Sequence, residues 1–140
     1  MPETQTVYKV VRRGRRERRW SAIVYTPGVR VEYVPHQETH SPDSRYLFAF
    51  DSLRQAKRFL DFHGPDIEHL CGVKTPYTAE LWEAEATGVR PATACTTLWE
   101  QLRHVKDFWQ ALHKGERQCY SRPPAGTVFC ESITLKQRVE

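Results

Sequence analysis

The chain predicts an α+β fold, a mainly antiparallel sheet of about five to seven strands with two helices packed on one face, and three observations lead there. Apolar residues alternate at period two in several short segments. Two longer segments repeat at helical spacing behind Ser or Thr caps. The order of elements, four strands, a helix, one or two strands, a helix and a last strand, lacks the regular alternation of a doubly wound parallel sheet. At 140 residues the chain is long enough to bury a core without disulfides or metal and short for two domains, so residues 1–140 are expected to form one domain.

The first strands are read at residues 7–12 and 20–26, both rich in β-branched and aromatic side chains, with Gly14 supplying the turn of a hairpin that spans about residues 7–26. Pro27-Gly28 turns the chain into a third strand, where Val29, Val31 and Tyr33 alternate with Arg30 and Glu32. Residues 36–44 hold no apolar side chain except Pro42 and predict a surface loop. Tyr46, Phe48 and Phe50 then alternate along a fourth strand. That strand runs into a helix: Ser52 and Gln55 fit a capping box, Leu53, Ala56, Phe59 and Leu60 share one face, and Gly64-Pro65 marks the end. Residues 67–73 read as a short strand, bounded closely by Gly72 and Pro76.

From residue 79 to 86, Trp82, Ala84 and Ala86 share one face, read as the inward one, while Leu81, Glu83 and Glu85 share the other. Thr97 and Glu100 cap the second helix, whose stripe runs Leu98, Leu102, Val105, Trp109, Leu112. Trp109 is therefore expected to be buried. His113, Lys114 and Gly115 suit its C-terminus, a loop follows over 115–126, and residues 127–139 return to strand composition.

Hydrophobic residues make up 39% of the chain and aromatics 11%, enough for a packed interior, and no segment approaches the ~20 apolar residues of a membrane span. Nothing at the N-terminus reads as a secretory signal, so a soluble, cytoplasmic protein with no membrane contact is expected. Cys71, Cys95, Cys119 and Cys130 contain no Cys-x-x-Cys pair, and His69-Leu70-Cys71 is the one close pair of ligand types. Free thiols, some of them buried, are expected in place of a metal, and no cofactor is assigned. His36 and His40, with Glu38 and Asp43 nearby, read as surface histidines.

The charge is concentrated. Six of the nine residues 11–19 are arginine, and without that run the chain carries 15 basic against 16 acidic residues. Placed at the ends of two paired strands and their turn, the six side chains are expected to project from a small exposed surface, where replacing them would leave the fold intact. Such a surface serves as a solvated tip blunting a sheet edge, as a contact for nucleic acid, or as a contact for an acidic protein patch. Arginine favours recognition, because its planar group makes bidentate contacts with phosphate and stacks on bases. The contact residues assigned to nucleic acid (RNA or DNA) or an acidic partner are Arg12, Arg13, Arg15, Arg16, Arg18, Arg19 and Trp20. No phosphate loop, dinucleotide fingerprint or known nucleic-acid module is present.

An enzyme would rely on Glu83 and Glu85, carboxylates two apart on one strand face. An early arginine, Ser21 on a following strand and this late Glu-x-Glu pair resemble the arrangement of the ADP-ribosyltransferases, although Ser21 lacks that family's surrounding Ser/Thr motif. The resemblance implies a transferase consuming a nucleotide such as NAD. The leading expectation is a small non-catalytic binding protein, with no catalytic residue assigned and Glu83 and Glu85 as an ordinary solvated pair. An adaptor or inhibitor of a host protein complex, of the kind compact viral genomes encode, is the alternative without nucleic acid.

Overall fold

The computed structural model describes residues 3–21, 31–41, 46–68, 78–92 and 126–140. They form β1 (Thr4–Arg13), a 3-10 turn (Arg15–Glu17), β2 (Arg19–Ser21), β3 (Glu32–Tyr33), β4 (Glu38–His40), β5 (Leu47–Phe50), α1 (Leu53–Glu68), β6 (Thr78–Thr87), β7 (Arg90–Pro91), β8 (Thr127–Cys130) and β9 (Ser132–Arg138). The class is α+β, sheet-rich and antiparallel throughout these pairings, with nine strands where five to seven were expected and one helix among the described residues. The second predicted helix, Trp109 included, lies outside the described residues, as do Cys71, Cys95 and Cys119.

Three readings are corrected. The polar segment 36–44 contains β4, which pairs through its backbone with β9 alone (Glu38↔Thr134, Thr39↔Ile133, His40↔Ser132). An edge strand that buries little needs no apolar alternation. Helix α1 runs through Gly64-Pro65 to Glu68, taking in two residues read as strand. A proline removes the hydrogen bond of its own nitrogen and crowds the carbonyl four residues back, a local cost that does not stop the turns on either side from continuing. The last strand is broken at Glu131 into β8 and β9. The predicted cap is present: the Gln55 N–H donates to Ser52 Oγ at 3.4 Å.

That break shapes the molecule. The sheet order is β4-β9-β6-β1-β5-β8-β7, with β2 and β3 branching from β1, so β9 and β8 lie on opposite flanks. Flat, they would be four strand spacings apart, roughly 19 Å, yet only Glu131 joins them, a reach of about 7 Å. The sheet must therefore curl until its flanks meet. Its concave face gathers Val7, Val11, Leu47, Trp82, Ile133 and Leu135 from both flanks into one core. The convex face packs Val10, Phe50 and Leu81 under Ala56 and Phe59 of α1.

Gly88, which links β6 to β7, has φ +60°, and a Cβ there would lie 2.5 Å from the Glu131 side chain. The acidic side chain can move, whereas the left-handed backbone cannot be avoided. Gly88→Ala is expected to lower stability by about 1–2 kcal/mol, read as a shifted midpoint in urea. Among the described residues no helix is long and apolar enough to cross a membrane.

Candidate functional site

The hairpin of β1 and β2 is closed by Gly14 N–H donating to the Arg18 carbonyl at 2.8 Å. Arg16 and Glu17 at its tip both have φ 58°. Left-handed backbone at residues with a Cβ costs about 1 kcal/mol each, so the tip is a strained, specified turn.

Register sorts the arginines that composition lumps together. Val11 pairs with Ser21, Arg12 with Trp20 and Arg13 with Arg19, so Arg13 and Arg19 share the concave face and Arg12 takes the convex one. Arg12 is completely buried, and only 12% of the Arg19 side chain is exposed. The expectation of six projecting cations is overturned for these two, because both strands bury side chains up to the turn. Arg16 and Arg18 are exposed at the tip. Arg15 belongs to the 3-10 turn.

Two like charges directly opposite on a sheet repel. Here they are held by Glu80, a fully buried carboxylate on β6 beside Val11. Arg19 Nε donates to its Oε1 at 2.8 Å, Trp82 Nε1 donates to the same oxygen at 3.0 Å, and Arg13 Nε and Arg138 Nη1 each lie 3.3 Å from Oε2. Burial by itself pushes the Glu80 carboxyl up. The hydrogen bonds from Trp82 and Arg19 and the charges of Arg19 and Arg138 outweigh it and hold the pKa below the usual value. The outer nitrogens of the same two arginines face Glu17: Arg13 Nη1 is 3.4 Å and Arg19 Nη2 3.7 Å from its Oε2, and Arg19 Nη1 donates to its carbonyl at 3.0 Å.

Beyond the strand face, Arg18 makes a two-point contact with Glu32, its Nε and Nη2 donating at 2.8 and 3.0 Å, and its guanidinium lies 4.5 Å from the Trp20 ring centroid. The hydrogen bonds to Glu32 raise its pKa above the ordinary arginine value. About half of the Arg18 side chain stays exposed (52%).

Inside the curl sits Lys9, opposite Trp82. It is buried, donates to the Phe48 carbonyl, and lies 5.0 Å from the Tyr33 ring centroid. Burial lowers its pKa to about 8, against a smaller upward pull from Cys130. The buried Cys130 thiol is pushed up to about 12, and burial raises Tyr33 as well.

The transferase-like residues are not brought together. Ser21 shares the concave face with Val11 and its hydroxyl accepts the Val31 N–H at 3.2 Å, whereas Glu83 and Glu85 are in register with Tyr8 and Thr6 on the other face. The two carboxylates line an open depression of about 360 Å³ with Thr6, Lys136 and Gln137, at a bulge in the β6–β9 pairing, and Lys136 Nζ lies 3.8 Å from Glu85. His40 pairs with Glu38 at 2.8 Å, and no group of three metal-binding side chains occurs among the described residues.

Sequence reasoning missed Glu80, Lys9 and Arg138. The first two carried a signal: each occupies the apolar register of an alternating strand, Glu80 with Trp82 and Ala84, Lys9 with Val7 and Val11. Arg138, at the exposed end of β9, carried none. Compared with known protein families, curated proteins and solved structures, the chain matches none.

Proposed function

We propose that this is a non-catalytic binding protein whose hairpin tip contacts nucleic acid. The observation that carries the reading is the exposed Arg18 guanidinium over the half-buried Trp20 ring, beside Arg16 on a strained turn. A guanidinium held over an indole by a two-point contact with Glu32 keeps its exposed half open to a base while its charge stays available to phosphate. Strain at the turn means the cations are presented in one arrangement, which reduces the ordering cost of binding. An acidic protein surface would use the charge but has no need of the planar stack.

The test is the double variant Arg16→Ser, Arg18→Ser, titrated with fluorescent single-stranded RNA and DNA 20-mers at several salt concentrations. Loss of one base contact and one phosphate contact should weaken binding by about tenfold or more, with stability lowered by about 1 kcal/mol for the lost Glu32 and Trp20 contacts. Undiminished affinity in the double variant would sink the reading. Binding to polyglutamate but to neither oligonucleotide would point to an acidic protein partner.

A further inference from the structure

The two arginines on the concave face of the hairpin form a clamp that already holds an anion. Each turns its Nε inward to the buried Glu80, at 3.3 Å for Arg13 and 2.8 Å for Arg19. Each turns an outer nitrogen toward a single oxygen, Glu17 Oε2, at 3.4 and 3.7 Å. Glu80 fixes the inner edges of both groups, so the outer edges are organised before any ligand arrives. The oxygen they meet belongs to a side chain that is 72% exposed, carried on a residue at φ 58°. It is reachable from solvent, loosely held and mounted on a strained turn.

We propose that Glu17 is an internal stand-in for a phosphate group, and that a phosphate of the nucleic-acid backbone displaces it from the Arg13–Arg19 clamp. This rests on the nucleic-acid reading above for the source of the phosphate, and on the clamp geometry alone for the site. A phosphate carries oxygens enough to meet both guanidiniums at once, where the Glu17 carboxylate offers one oxygen at the long end of ion-pair distance. The clamp lies on the face of the hairpin opposite the Arg12–Trp20 pair, so a strand wrapping the tip can meet both.

The experiment compares the wild-type chain with Glu17→Gln, an exposed change that keeps size and polarity. Inorganic phosphate is titrated while the side-chain Nε resonances of Arg13 and Arg19 are followed, and the same proteins are titrated with the single-stranded 20-mers. Removing the competing carboxylate should tighten phosphate binding about two- to fivefold, the range set by an exposed ion pair, and tighten oligonucleotide binding by a similar factor. Adding Arg13→Lys, which keeps the charge beside Glu80 but loses the planar group, should cancel that gain. Unchanged affinity in Glu17→Gln, with Arg16→Ser, Arg18→Ser still weakening oligonucleotide binding, overturns the stand-in and leaves the nucleic-acid reading in place. A Glu17→Gln gain for inorganic phosphate without any oligonucleotide binding supports the clamp and overturns that reading. No shift of either Nε resonance with phosphate in either protein overturns the clamp.

Discussion

Glu80→Ala is expected to destabilise the fold by about 3–5 kcal/mol, the usual consequence of removing one partner from a buried ion pair. The loss has two sources. The Arg19 guanidinium, mostly buried, is left without its closest acceptor, and Arg13 and Arg19, directly opposite across β1 and β2, then repel with only the exposed Glu17 carboxylate to offset them. Glu80→Gln keeps the side-chain volume and an oxygen for Trp82, so it should lose about half as much. The sign of the pH effect follows from the lowered carboxyl. Its contribution is present above the unfolded value of 4.5 and disappears as pH falls through the native one, so wild type should weaken in acid more steeply than Glu80→Gln. Urea titrations of the three proteins between pH 3 and pH 7 check both points. Equal midpoints would mean that the arginines find other partners without cost.

Lys9→Met is expected to act in the opposite direction. Lowering a lysine from 10.5 to about 8 corresponds to about 3 kcal/mol lost on folding wherever the group is charged in both states. Methionine refills the volume, and the Phe48 carbonyl loses a donor at about 1 kcal/mol, which leaves a net gain of about 2 kcal/mol at pH 7. Below pH 8 the wild-type penalty is complete. Between pH 8 and 10.5 the native lysine is neutral while the unfolded one still binds its proton, so stability rises with pH. From pH 9 upward the unfolded chain releases the Cys130 proton, which the native state keeps to about 12, and Tyr33 joins above pH 10, both reversing the trend. The clean window is pH 8 to 9, where wild type should gain about 1 kcal/mol and Lys9→Met should stay flat. A flat wild-type profile there, or a methionine variant of lower stability, would show that the buried ammonium is a net stabilising contact.

The parts of the fold that depend on local chemistry were legible in the residues. The passage from β5 into α1 could be read from Phe48 and Phe50, the Ser52 cap and the Leu53, Ala56, Phe59 spacing. The faces of β6 followed from Trp82, Ala84 and Ala86. What depends on distant pairing was hidden: β4 is polar because its partners are backbone groups, and the corner at Glu131 interrupts a segment whose composition is strand throughout. The arginine run shows the same division. Its charge was evident, yet which arginines reach solvent is decided by the register of β1 against β2 and β6, and counting treats Arg12 and Arg16 alike although one is buried and the other exposed.

The single-residue corner at Glu131 also bears on how the chain reaches this fold. The strands on either side of it close the curl, and each pairs with partners far back in sequence, Cys130 with Leu47 and Thr134 with Glu38. Loop closure of that span must precede most of the stabilising contacts, which places this sheet among slow-folding topologies of high contact order. During synthesis β5 and β6 emerge well before β8 and β9 and present unpaired edges in the interval. The nascent protein is most exposed to strand-to-strand aggregation then, and residues 126–140, by covering the open edges of β5 and β6 together, end that exposure in one step.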